Sequence, residues 1–150
     1  MSELTAIDTP TRSTRRRAAL VDILRDRAEP ILERTVAETM RATDFVGLGQ
    51  TVAARYLLAA RGSLPLALRA LGADDPERSA DLERCAGVVK DIVGLGVPAF
   101  VQRSLVSLGF KVASGIARDG ARAHGFEPDE LEDELRVFQR AFEARLFFGT

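Results

Sequence analysis

The chain has no tryptophan, one tyrosine, two methionines, one cysteine and one histidine among its 150 residues, and its formal net charge is only −1. Each scarcity excludes something. A single thiol, Cys85, closes no intramolecular disulfide, and with His124 as the lone imidazole there is no His/Cys set for zinc or iron. Cysteine usage of this kind is expected of a protein working in a reducing cytosol. The near-neutral balance supplies no global field for nucleic acid or anionic lipid. Long apolar runs are missing too: each is interrupted by Lys, Arg or Gln within a few turns, and the polar opening has no signal-like apolar core, so neither export nor a membrane span is expected.

What is present is the composition of an ordinary globular protein, since 46% hydrophobic and 29% charged residues fit neither a disordered nor a fibrous chain. The length suits one domain, able to bury roughly 68–70% of the surface that its unfolded form exposes. Residues 1–14 are expected to form a disordered arm and residues 15–150 one helical domain.

Apolar spacing is helical throughout, and no run of alternating β-branched residues bounded by turns predicts a strand. Positions 20, 23, 24, 31 and 36 predict a helix opening at Ser13 or Thr14 and running to about Arg41, kinked or split by Pro30. After Asp44 to Gly49, Thr51 to Leu71 is helical, with Val52, Tyr56, Leu57 and Ala60 inward, a break at Gly62-Ser63-Leu64-Pro65 and Gly72 as C′ residue. Asp75 is expected to accept first-turn amides, with Pro76 at N1 and Glu77 favouring the dipole. Leu82, Cys85, Ala86, Val89, Ile92 and Val93 form the next stripe. Gly94 and Gly96 interrupt it, and Pro98 opens the longest apolar helix, about 40 Å long if unbroken to Gly125. The last helix starts near Pro128 and carries Leu131, Leu135, Phe138, Phe142 and Leu146 at near-heptad spacing, suited to packing inside or against a twin. The fold class is all-α: a single-domain bundle of five to seven helices, with a globin-like arrangement among the possibilities.

Asp44, Val46, Gly47, Leu48 and Gly49 recur as Asp91, Val93, Gly94, Leu95 and Gly96, and Leu58/Leu105 and Gly62/Gly109 continue the register. The echo fits either an old duplication of a helix pair or coincidence in Gly- and Leu-rich sequence.

Motifs that would carry chemistry fall to plainer readings. Gly94-Leu-Gly96-Val-Pro-Ala99 matches G-x-G-x-x-A, yet helical flanks on both sides deny it the strands of a dinucleotide fold, leaving a helix–helix hinge or turn at Gly94, Gly96 and Pro98. His124, one residue before Gly125, suits a helix C-terminus and lacks a paired carboxylate or nucleophile. Cys85 reads as an inert buried thiol. Asp129/Asp133 and Glu130/Glu134 at i,i+4 have no Glu-x-x-His partners for a di-metal site, so a solvated acidic turn is expected. Arg103, Lys111, Arg118 and Arg122 line one face with Ser107 and Ser114, either holding an anion, pairing with Glu130 and Glu134, or facing water. No metal, no cofactor and no catalytic residue is expected, and the chain is not expected to be an enzyme.

Leu95-Gly-Val-Pro98, followed by an apolar helix with Leu108-Gly109-Phe110, resembles the RsbR-type N-terminal sensor domains. Those are non-haem globin-like helical domains of stressosome proteins and of PucR-like transcription regulators. The stretch from Leu20 to Met40, with Glu29-Pro-Ile-Leu-Glu33, and the final helix from Leu131 to Phe148 are similar to the same family. The resemblance implies a cytoplasmic regulatory module of signal transduction or stress response, dimeric, with a fused output domain or a downstream regulatory partner. Departures are Leu105, Val106, Ser107 and Leu108 where aromatics and arginine are expected, and a chain ending at Phe147-Phe-Gly-Thr150, which implies a free-standing sensor or a fragment. Val97, Val101, Leu105, Leu108, Phe138 and Phe142 are the candidate lining of a small-ligand pocket, with simple core membership as the competing account. Alternatives are a small apolar ligand-binding protein, and a DNA-binding regulator using Arg12 to Arg17 as an arm, against which the net charge counts.

Overall fold

The computed structural model describes residues 11–41 and 49–149, apart from the side chains of Met40 and Ala53. Six α-helices pack together and, among the described residues, no strand occurs: α1 (Arg12–Asp26), α2 (Ala28–Arg41), α3 (Gln50–Gly72), α4 (Glu77–Gly94), α5 (Ala99–Gly120) and α6 (Pro128–Phe147). The bundle is all-α, as the periodicity implies. The segment at 42–48, including Asp44 to Leu48 of the sequence echo, and residues 1–10 of the expected arm lie outside the described residues.

α1 opens earlier than expected. Thr11 is the N-cap, its hydroxyl accepting the Thr14 N–H at 3.0 Å, so Arg12, Ser13 and Thr14 belong to the helix and not to an arm. The expected split comes at Arg27, three residues before Pro30. Pro30 has no N–H to offer the Asp26 carbonyl, whereas in the first turn of α2 none is needed.

Pro65 does not break α3, contrary to the expected stop at Gly62–Pro65. A mid-helix proline costs about 3 kcal/mol, but continuation buries Leu68 and Leu71, each contributing about 1.5–3 kcal/mol. α3 is therefore the longest helix, at 23 residues against 22 for α5. Its last carbonyls have dedicated donors: Arg78 gives Nε to Ala70 O and Nη2 to Leu71 O, both at 2.9 Å. Burial lowers the Arg78 pKa from its ordinary value. Gly72 ends the helix itself, with Ala73 as the C-cap, and a Cβ on Gly72 would stand 3.1 Å from Val21 Cγ2. Close passage of α1 explains the glycine better than a C′ role.

At the start of α4, Asp75 accepts the Ser79 hydroxyl at 2.6 Å and caps no amide, and Pro76 sits one residue before the helix. Leu82, Cys85, Val89 and Ile92 are buried as expected, but Val93 is 45% exposed because the stripe rotates off the core at the helix end. α5 also ends early, at Gly120, roughly 33 Å from its start at 1.5 Å per residue, and His124 lies exposed in a 3₁₀ turn, Arg122–His124. Gly125 follows with a left-handed φ of +83°. The sequence echo pairs environments that differ: Leu58 is 73% exposed and Leu105 2%.

α1 crosses α3, α5 and α6, while α6 packs on α4 and α5. Leu20, Ala117, Ala121 and Leu131, all fully buried, mark the centre of that larger core. A smaller core of Tyr56, Ile92, Val97, Val101 and Leu105 joins α3, α4 and α5 at the other end.

Candidate functional site

Between these two cores lies a cavity of about 180 Å³, walled by residues of α1 to α6. Of the six candidate lining residues, Leu105, Phe138 and Phe142 reach it. Val97, Val101 and Leu108 do not: they pack into the smaller core, the competing account of these residues. Phe138 and Phe142 form an aromatic group with Phe110, with ring centroids 5.5–6.1 Å apart, and all three face the cavity.

Its other walls come from Leu24 of α1, Thr35 of α2, Tyr56 and Ala60 of α3, and Cys85 of α4. Tyr56 and Ala60 carry an inward periodicity signal. Thr35 has none, because a mid-helix threonine is as common on a solvated face. Burial pushes the Cys85 thiol up to about 11 and the Tyr56 hydroxyl up to about 12, so neither ionises near neutral pH. The space suits apolar matter, and no side chain in it offers a ready nucleophile or base.

Gln102, 2% exposed, stands beside the cavity and donates Nε2 to the carbonyls of Val89 and Val97, at 3.2 and 3.0 Å. This ties α4 and α5 across the turn that carries the candidate hinge. Gly96 has φ +103° there, Gly94 is the last residue of α4, and Pro98 is the N-cap of α5. Gly96 N–H donates to Val93 O and Val97 N–H to Ile92 O, closing the helix end with main-chain bonds.

The charged motifs are engaged at the surface. Arg12 pairs with Glu130 at 2.6 Å, Arg16 with Glu134 at 3.3 Å and Arg17 with Asp74 at 2.8 Å, so most of the expected basic arm is spent inside the molecule. The carboxylates expected to meet the α5 stripe, Glu130 and Glu134, serve α1 instead. Arg118 pairs with Asp129 and Glu132, Arg122 with Glu127, and Arg103 lies 4.6 Å over the Phe148 ring. Ser107 and Ser114 donate to Glu143 and Glu132. The backbone N–H of Glu127 and the Arg12 guanidinium hold the Glu130 carboxyl below its ordinary value.

Among the described residues, no group of three or more His, Cys, Asp or Glu is placed to hold a metal ion, and no helix is long and apolar enough to cross a membrane. Comparison of the chain with protein families, with curated proteins and with solved structures finds no match.

Proposed function

We propose that this protein is a non-enzymatic, cytosolic sensing module whose cavity takes a small apolar ligand and whose helices shift in response, with the signal passed through a homodimer or a regulatory partner. The cavity between the two cores is the observation that carries the reading. It touches every helix of the bundle, so a guest that fills it changes the relative stability of alternative helix packings and thereby their populations. The residues behind the RsbR-type resemblance support it: Gly109 and Phe110 line the cavity, and Gly109 faces α2, where its missing Cβ would stand 3.7 Å from Thr35 Cγ2. Two large apolar side chains, Leu58 and Phe100, are left outside at 73% and 68% exposure and are available to a partner.

Native mass spectrometry of the protein purified from its own host tests this. A retained small molecule on a dimer is the expected result. A ligand-free monomer that also ignores added small hydrocarbons overturns the sensing reading.

A further inference from the structure

One polar atom in the cavity wall lacks a hydrogen-bond partner among the described residues. The Thr35 hydroxyl oxygen is buried and has no hydrogen-bond partner among the described residues, while the methyl of the same side chain faces Gly109 of α5. Other polar groups lining the cavity are engaged: Gln102 Nε2 spans two carbonyls, and the Ser63 hydroxyl donates to Ala60 O at 2.8 Å. A buried hydroxyl without a partner is costly, and such groups are few in folded proteins.

Position adds a second argument. Thr35, with Leu32, Tyr56 and Ala60, lines both the cavity and a groove of about 410 Å³ on the outer side of α2 and α3. The Thr35 oxygen therefore belongs to a residue of the wall that the cavity and the groove share. Among the described residues, the one cation on that groove, Arg61, is paired with Glu29 at 2.8 Å, and the cavity walls suppress ionisation of their own thiol and phenol. Neither feature favours a charged guest.

We propose that the cavity binds a neutral amphiphile: a small apolar body carrying one hydroxyl or carbonyl group, which enters between α2 and α3 and hydrogen-bonds to Thr35 Oγ1. This rests on the cavity being a ligand site, as proposed above, and specifies the class of ligand. At about 180 Å³ the space is comparable with apolar cavities of about 150 Å³ that stay dry and bind benzene, so the body is of single-ring size.

Calorimetric titration of the wild type and Thr35→Val with phenol, benzene and benzoate at pH 7 tests the proposal. Valine keeps the shape of threonine and puts a methyl group in place of the hydroxyl. The ratio of phenol to benzene affinity is expected to fall about fivefold to tenfold in the variant, the effect of one neutral hydrogen bond, with benzene affinity unchanged and benzoate at least tenfold weaker than phenol in both. An unchanged ratio overturns the proposal, as it would if ordered water served Thr35 in every state, and so does benzoate binding as tight as phenol. Benzene binding without a Thr35-dependent ratio removes the amphiphile alone. Failure of benzene and phenol alike to bind removes the ligand-site reading with it.

Discussion

The side of the molecule built from α1, α5 and α6 and the side built from α2 and α3 solve the same packing problem to different degrees. On the first side Leu20, Ala117, Ala121 and Leu131 are fully buried, and ion pairs run from Arg12, Arg16 and Arg118 to α6. On the second side, the Thr35 oxygen has no partner among the described residues, and the cavity and groove meet. A bundle that is tight on one side and loose on the other can admit a guest without losing the fold. The tight side supplies the stability, and the loose side supplies the space.

Truncation should show the contrast most strongly. Leu131→Ala is expected to cost about 2–5 kcal/mol, because its pocket is enclosed on every side. Leu32→Ala, half-buried and already beside empty space, should cost about 1 kcal/mol. Urea denaturation of the two variants checks this, and equal losses would mean that the two sides are packed alike.

Enlargement reverses the sign of the question. Ala117→Leu forces a larger side chain into a fully buried site and is expected to lose about 1–3 kcal/mol. Ala60→Leu grows into the cavity and should stay within about 1 kcal/mol of the wild type, since new contacts offset local strain. The same change should abolish benzene binding, read by calorimetry. A large loss of stability from Ala60→Leu would show that the cavity has no room to fill.

Much of the tight side is legible in the sequence, and little of the loose side is. Leu131, Leu135, Phe138 and Phe142 fall on one helical face and are all buried, because a stripe at helical spacing has one face to turn inward. The prolines are harder to read. Pro30 and Pro65 carry the same covalent restriction, yet one lies in the first turn of a helix just after a junction and the other lies deep inside a helix. The cavity leaves no trace in the periodicity, since its walls are ordinary inward residues from all six helices and a void is a property of their arrangement. Thr35 stands out only through the missing partner of its oxygen, which no spacing encodes. Gln102 has the sequence signature of a polar interruption in an apolar helix, although it is buried and ties two helices.

The α4–α5 turn carries two glycines that should respond differently to alanine. Gly96 has φ +103°, where an L-residue is strained by about 1–2 kcal/mol. Gly94 ends α4 in helical geometry with open space where a Cβ would stand, and alanine there should be neutral or stabilise by up to about 1 kcal/mol. Thermal unfolding of the two variants separates a turn that relies on one left-handed residue from a hinge that relies on both. Equal, large losses would favour the hinge.

Acid should erase the contrast from the tight side, because the carboxylates with depressed pKa lie there or on α4. Hydrogen bonding from Arg69 holds the buried Asp81 carboxyl below its ordinary value, with Arg84 adding to it, and the Glu127 N–H and Arg12 do the same for Glu130. A carboxyl whose pKa is lower folded than unfolded contributes stability that is fully present above its unfolded value, about 3.9 for Asp and 4.3 for Glu. That contribution is lost as pH falls through the folded value. The melting temperature is therefore expected to hold from neutral pH down to about 5 and to decline below about 4. Asp81→Asn should lie below the wild type at pH 7, where Arg69 and Arg84 lose their charged partner, and should converge on it at low pH, where Asp81 is itself protonated. A gap between the two curves that persists undiminished into acid would mean that Asp81 acts through its shape and hydrogen bonds and not through its charge.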